Sequence, residues 1–237
     1  MKVTIVVPVY NEEANVETLA AELDAVSLSL PDLEVLFVDD GSTDSTWDRI
    51  QACARRFSSV RGLRYEPNRG QSAAMLEGLR NARGDVLVIM DGDLQNDPAD
   101  VPRLVARIGE GDVVCGYRAK RRDTWARRAG SRLANWVRNR VTRDGVRDTG
   151  CSLKAFRREC ASDLPPLNGV HRFMPAYFKL NGRKVVEIPV NHRPRMHGVS
   201  KYTNLKRLPR TVLDLVGFVW YRKRHVSVGS GDIRTTG

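Results

Sequence analysis

The chain has 237 residues, 41% of them hydrophobic and 28% charged, proportions that exclude both a disordered chain and a polytopic membrane protein. Charge is the outlier: 39 Lys and Arg against 28 Asp and Glu give a formal +11 and an isoelectric point near 9.9. Such a surface calls for acidic partners, whether nucleic acid, anionic lipid headgroups or phosphorylated substrates, and the length suits one large α/β domain.

The opening Met1-Lys2-Val3-Thr4-Ile5-Val6-Val7-Pro8 gives way at once to Tyr-Asn-Glu-Glu. Lacking a small-residue cleavage pattern, it reads as a strand over Val3 to Val9 rather than a signal peptide. A helix follows, with Val16, Leu19, Leu23 and Val26 at helical spacing, then a strand over Glu34 to Val38. Asp39-Asp40-Gly41-Ser42-Thr43-Asp44 supplies turn and capping chemistry before a helix striped by Trp47, Ile50, Ala54 and Phe57. Next come a strand over Gly62 to Tyr65, a small-residue helix through Ala74, Met75, Leu79 and Ala82, and a buried strand over Asp85 to Met90. A helix near Val101 to Ile108 and a strand over Asp112 to Gly116 complete a βαβα alternation, which predicts a mostly parallel, doubly wound central sheet.

From Arg118 to Arg147 the chain carries eleven Lys or Arg against Asp123 and Asp144 alone. An apolar stripe of Trp125, Ala129, Leu133, Trp136, Val137 and Val141 predicts an arginine-edged helix there. A solvated arginine face is the bland reading of such a run; the two Trp at its apolar edge favour contact with a membrane surface. Strands are expected at Ser152 to Phe156 and Lys184 to Val190. Thr211 to Tyr221 is an apolar helix interrupted by Asp214, too short for a bilayer that needs about 20 apolar residues. With Arg222-Lys223-Arg224 behind it, this amphipathic helix suits either core packing or an anionic membrane surface. The Ser/Gly-rich end from Ser227 reads as a disordered tail. Cys53, Cys115, Cys151 and Cys160 show no metal or disulfide spacing, which predicts reduced thiols in a cytoplasmic protein.

In open parallel sheets, ligands bind beyond the carboxyl ends of the strands. Three predicted strands end there in polar groups: Tyr10-Asn11-Glu12, Asp39-Asp40, and Asp91-Gly92-Asp93-Leu94-Gln95. For Asp44 and Asp97 a helix cap is as good a reading. Asp91 and Asp93, two carboxylates closing an apolar strand, repel each other unless a cation lies between them, and Mg²⁺ or Mn²⁺ suits such oxygen ligands, with Gln95 as a further one. On this short motif alone, a turn rich in Asp and Gly is the better reading.

The strings VVPVYNEE (6 to 13), VDDGSTD (38 to 44), NRGQSAAMLEG (68 to 78), DGDLQNDP (91 to 98), DTGCSLKAFRR (148 to 158) and RMHGVSKY (195 to 202) together resemble glycosyltransferase family 2. More narrowly, they resemble its dolichol-phosphate mannosyltransferase and bacterial polyprenyl-phosphate glycosyltransferase branch. The resemblance implies a GT-A fold over residues 1–203, with a nucleotide-sugar half (1–115) and an acceptor half (116–203), followed by the helix (204–226) and the tail (227–237). It implies that Pro8, Tyr10, Asn11, Glu12 and Asp40 hold the base and ribose of a nucleotide-sugar donor, UDP- or GDP-linked. Asp91, Asp93 and Gln95 would hold the metal and diphosphate. Arg118 and Arg132, with Ser131, would hold the acceptor phosphate, and Arg195, Ser200 and Lys201 a loop closing over the donor phosphates. Asp91, Asp93 and Arg118 are thereby the catalytic candidates.

The implied activity is inverting, metal-dependent transfer to a polyprenyl phosphate by a protein peripheral to the cytoplasmic membrane face. A polysaccharide or glycolipid hydroxyl acceptor is the alternative, and it would require a base, for which Asp148 is the candidate; orienting the loop before Cys151 is the other reading of that residue. Nucleic acid is disfavoured, because a carboxylate-lined crevice repels a polyanion. Branch members often continue into transmembrane helices where this sequence ends, so a separate membrane protein partner is a further expectation. They also often have alanine where Gly92 stands, a difference expected to be harmless. Sugar and base remain open.

Overall fold

The computed structural model describes residues 1–119, 138–194 and 204–226, with backbone alone for 204–211. The expected helix through Trp125 and Trp136, the 195–201 loop and the tail from Ser227 lie outside the described residues; within 138–142 the backbone is helical.

Seven strands form one sheet: β1 (Val3–Val9), β2 (Leu33–Asp39), β3 (Val60–Arg64), β4 (Val86–Ile89), β5 (Val113–Arg118), β6 (Lys154–Arg157) and β7 (Val185–Val190). Their order is β3-β2-β1-β4-β6-β5-β7. β1 to β4 pair in parallel, β6 runs antiparallel to both β4 and β5, and β7 returns parallel to β5. The sheet is therefore α/β and mostly parallel, as the alternation predicts. All seven residues of β2 and all four of β4 are buried, the signature of strands covered on both faces.

The covering layers are sorted by strand alternation. Val3, Ile5, Val7 and Val9 face one apolar cluster with Val16, Leu19 and Leu23 of α1 (Glu13–Val26), Ile50 of α2 (Thr46–Arg56) and Leu104 of α4 (Val101–Ala106). Val6, Leu36 and Leu87 face the other, with Met75 and Leu79 of α3 (Gln71–Asn81) and Phe173, Met174 and Tyr177 of α5 (Val170–Leu180). Sequence patterning gives no helix at α5. Its apolar positions run almost without interruption around Pro175, which hides the 3.6-residue period.

α6 (Asn204–Arg224) takes in the apolar stretch Thr211 to Tyr221 and runs past it at both ends, within the 204–226 expected for the helix. Its Phe218, 1% exposed, stacks on Phe173 at 5.9 Å and meets Tyr177 edge-on at 5.2 Å, while Asp214 pairs with Arg172 of α5 at 2.7 Å. The opposite face leaves Leu213 70%, Val216 60% and Trp220 59% exposed. No helix among the described residues is long and apolar enough to cross a membrane.

From β1 the chain steps outward through β2 and β3, then returns to place β4 on the other side of β1. This reversal opens a crevice beyond the carboxyl ends of β1 and β4.

Candidate active site

β1 and β2 leave the sheet in loops that hold each other. Asn11, in the left-handed conformation at φ 52°, accepts a hydrogen bond from Thr43 N at 2.8 Å, and its own backbone N–H donates to Ser42 Oγ at 2.9 Å. Glu12 donates through its backbone to Thr46 Oγ1 at 2.8 Å and accepts from Asn15 Nδ2 at 2.6 Å. Asp40, 2% exposed, receives Arg69 N and Gly70 N at 2.8 Å each and Asn68 Nδ2 at 2.9 Å, so its carboxylate shapes the turn that opens α3. Tyr10 stands 37% exposed above this rim, and Pro8 is half-buried. The five expected nucleotide-side residues therefore share one end of the sheet. Asp97 caps the turn 98–100, receiving Ala99 N at 3.1 Å, and Asp44, one residue ahead of the α2 N-cap Ser45, receives Thr46 N at 3.0 Å.

Beyond β4 the residues alternate: Asp91, Asp93 and Gln95 are half-buried, whereas Gly92, Leu94 and Asn96 are buried. The chain bends through 92–94, and the three oxygen-bearing groups take the open side. Two local devices enforce this. A Cβ on Gly92 would lie 2.6 Å from Val9 Cγ1, so the glycine is explained by close packing on β1. Leu94 is 1% exposed and held at φ 61°, a conformation that costs a non-glycine residue about 1–2 kcal/mol and turns the chain between Asp93 and Gln95. Asp93 Oδ1 accepts from Gln95 N at 3.2 Å, and Asp91 Oδ1 accepts from Gln71 Nε2, at the first turn of α3, at 2.9 Å.

Asp91, Asp93 and Gln95 line one pocket together with Asn96, Arg118, Gly150, Cys151, Ser152 and His192. The carboxylates thus share a pocket with the arginine that ends β5. Arg118 is held by Asp148 through Nε–Oδ2 at 2.7 Å and Nη2–Oδ1 at 2.9 Å, and its backbone N–H adds a third bond at 3.2 Å. Burial, partly offset by Lys154, pushes the Cys151 thiol up. Asn96 Nδ2 donates to Ser152 Oγ at 2.7 Å, and Arg193 fixes the chain leaving β7 through Glu22 and Asp97, each at 2.7 Å.

Two carboxylates and an amide oxygen on one wall suit a hard divalent ion that completes its shell with water and substrate phosphate. Among the described residues no group of three or more His, Cys, Asp or Glu could hold a metal by itself. Ser131, Arg132, Arg195, Ser200 and Lys201 lie outside the described residues. Asn96, Ser152 and His192, which line the pocket, and Gln71, which bonds to Asp91, do not stand out in the sequence as site residues, because each arrives through tertiary contact; the family-like strings contain Gln71, Asn96 and Ser152 without marking them.

Residues 4–164 match the family model described as Glycosyl transferase family 2. The chain is 36% identical over 230 residues to a dodecaprenyl-phosphate galacturonate synthase of Rhizobium johnstonii, covering 94% of this chain and 68% of that one. It is 41% identical over 217 residues to an undecaprenyl-phosphate 4-deoxy-4-formamido-L-arabinose transferase of Pseudomonas aeruginosa, covering 90% and 64%. The chain thus spans about two thirds of the length of these relatives. Among solved structures, a glucosyl-3-phosphoglycerate synthase from Mycobacterium tuberculosis, in complex with Mn²⁺, UDP and glucosyl-3-phosphoglycerate, superposes with TM-score 0.72 at 21% identity, over 97% of this chain and 82% of that one. A complex of the same synthase with Mg²⁺ and UDP gives 0.69 at 20% identity, over 97% and 82%. At that identity the likeness establishes the fold, which is GT-A.

Proposed function

The chain belongs to glycosyl transferase family 2 and is a glycosyltransferase, and from that premise we propose that it moves a sugar from a nucleoside-diphosphate donor to the phosphate of a polyprenyl lipid at the cytoplasmic face of a membrane. One observation carries the reading: Asp91, Asp93, Gln95 and Arg118 line a single pocket. An oxygen-lined wall suits a cation-bound diphosphate, and a guanidinium suits a second phosphate opposite it. The names of the two relatives, both transferases to polyprenyl phosphates, support this acceptor class.

A bound Mg²⁺ or Mn²⁺ would supply Lewis-acid stabilisation of the diphosphate leaving group. Asp91 and Asp93 would hold it, Gln95 would add an oxygen, and Gln71 fixes the orientation of the Asp91 carboxylate. Arg118 orients the lipid phosphate. One phosphate oxygen bonds to the anomeric carbon as the bond from that carbon to the diphosphate breaks. The bonding pair leaves with the nucleoside diphosphate, and the configuration inverts. A phosphate monoester, with a second pKa of about 6, is already anionic near neutrality and needs no base. That agrees with Asp148, both of whose oxygens are bonded to Arg118; a hydroxyl acceptor would require a carboxylate available for the proton.

The outward face of α6 supports peripheral membrane association. Leu213, Val216 and Trp220 stand exposed beside Arg222, Lys223 and Arg224, an arrangement suited to an anionic lipid surface.

The test is incubation with radiolabelled UDP- and GDP-sugars, Mg²⁺ or Mn²⁺, and undecaprenyl phosphate. Label should pass into organic solvent only when the lipid is present. Label that remains aqueous with every donor would sink the acceptor assignment.

A further inference from the structure

Lys154, the first residue of β6, is 1% exposed. It lies between Ile89 of β4 and Cys115 of β5 in the centre of the sheet. Its Nζ donates to the backbone carbonyl of Cys151, and among the described residues no carboxylate pairs with it. Burying an amine in this way is costly, and an apolar side chain of similar length would fill the same space more cheaply. Packing alone therefore does not account for a lysine here.

The contacts of Cys151 do. Its carbonyl takes Lys154, and its N–H reaches back to the Asp148 carbonyl at 3.3 Å, closing a tight turn. Asp148, at the start of that turn, grips the Arg118 guanidinium with both oxygens. The backbone between them lies against the same guanidinium: a Cβ on Gly150 would stand 2.9 Å from Arg118 Nη2. Gly150, Cys151 and Ser152 form the pocket wall next to Arg118. The turn that aims Arg118 is thus braced from beneath by one buried side chain.

We propose that Lys154 is a positioning residue for the acceptor side: by anchoring the Cys151 carbonyl it fixes the 148–152 turn, and through Asp148 the direction of the Arg118 fork. This rests on the reading of Arg118 as the acceptor-phosphate group. Lys154 lies beneath the turn, and its effect falls first on the acceptor: the turn reaches the Asp91 to Gln95 wall through Asn96 Nδ2 on Ser152 Oγ at 2.7 Å, whereas Leu94, Gly92 and Gln71 hold that wall directly.

Lys154→Met keeps the length of the side chain and removes the donor. It should raise the KM for undecaprenyl phosphate about ten- to hundredfold, the range for losing a group that orients a binding side chain, while UDP-sugar and Mg²⁺ still raise the melting temperature as in the wild type. The Arg118 Nε–Hε resonance, followed by ¹⁵N NMR, should move as the fork loses its fixed geometry. An unchanged acceptor KM, an unchanged Arg118 resonance, or equal loss of donor and acceptor binding would overturn the proposal. If Lys154→Met does not fold, Lys154→Gln, polar but too short to reach Cys151, takes its place: a raised acceptor KM with donor binding intact supports the proposal, and an unchanged acceptor KM or an equal loss of both overturns it. Wild-type protein run alongside separates the two claims. Failure of wild type to use the lipid phosphate refutes the acceptor reading, and the role of Lys154 with it; an active wild type with an unaltered Lys154→Met refutes Lys154 alone.

Discussion

Asp148 meets Arg118 fork to fork, at 2.7 and 2.9 Å, with both side chains largely buried beside the Asp91–Asp93 wall. The two sequence readings of Asp148, catalytic base or orienting group, differ in what this pairing means. An orienting group acts on acceptor binding, and a base acts on the chemical step.

Asp148→Asn separates them. The amide keeps the shape and removes the charge that holds the guanidinium. Acceptor KM should rise about ten- to hundredfold with kcat changed by less than about threefold. Steady-state kinetics with varied lipid phosphate checks this. A collapse of kcat at unchanged KM would restore Asp148 as a base and the hydroxyl-acceptor reading with it.

Asp93→Asn should lower turnover by at least about a hundredfold, since it removes an oxyanion from the diphosphate wall. The apo fold should hold its melting temperature or gain slightly, because Asp91 and Asp93 repel each other when no cation lies between them. Differential scanning fluorimetry with and without Mn²⁺ reads the stability effects, and a turnover assay reads the rate. The Mn²⁺-dependent rise expected of the wild type should disappear in the variant.

Much of this site is legible in the sequence because its parts are local. A strand of β-branched residues that runs into Asp91, Asp93 and Gln95 announces a carboxylate cluster at its end. The strain at Leu94 is not legible, since nothing in a leucine announces a positive φ. Gly92 looks incidental until Val9 Cγ1 is found where its Cβ would be. Lys154 reads as an ordinary charge within a strand pattern, and only the insertion of β6 between β4 and β5 buries it. The antiparallel direction of β6 is equally hidden, because the length and composition of four residues do not encode which neighbours they will meet. α5 is lost for a different reason: its Pro175 and unbroken apolar run erase the period that marks the other helices.

Acid sensitivity should concentrate at Glu34. Burial pushes its carboxyl up, but the Thr4 hydroxyl at 2.6 Å, Arg83 N at 2.9 Å and the Arg61 guanidinium at 3.0 Å outweigh burial and leave it below its ordinary 4.5. A carboxyl with a lowered folded pKa contributes stability that is present above 4.5 and is lost as pH falls through the folded value. Glu34→Gln should therefore cost about 1–3 kcal/mol at pH 7, with the difference from wild type shrinking below pH 4.5. Urea midpoints of both proteins across pH 3 to 7 would measure it. A constant difference over that range would remove the charge-based account.

The two faces of α6 predict opposite responses to substitution. Phe218, sealed against Phe173 and Tyr177, should cost about 3–5 kcal/mol as Phe218→Ala. Leu213→Glu and Trp220→Glu alter residues that are 70% and 59% exposed, so the fold should tolerate them within about 0.5 kcal/mol. At a lipid surface the order reverses. Burying Leu213, Val216 and Trp220 at about 1.5–3 kcal/mol each, with about 1 kcal/mol from each of Arg222, Lys223 and Arg224, exceeds what a peripheral association needs. Wild type should co-sediment with vesicles containing phosphatidylglycerol and be released by salt, whereas Leu213→Glu combined with Trp220→Glu should stay in the supernatant with its melting temperature intact. Equal sedimentation of the double variant would show that this face does not touch the membrane and would move the attachment to another part of the basic surface.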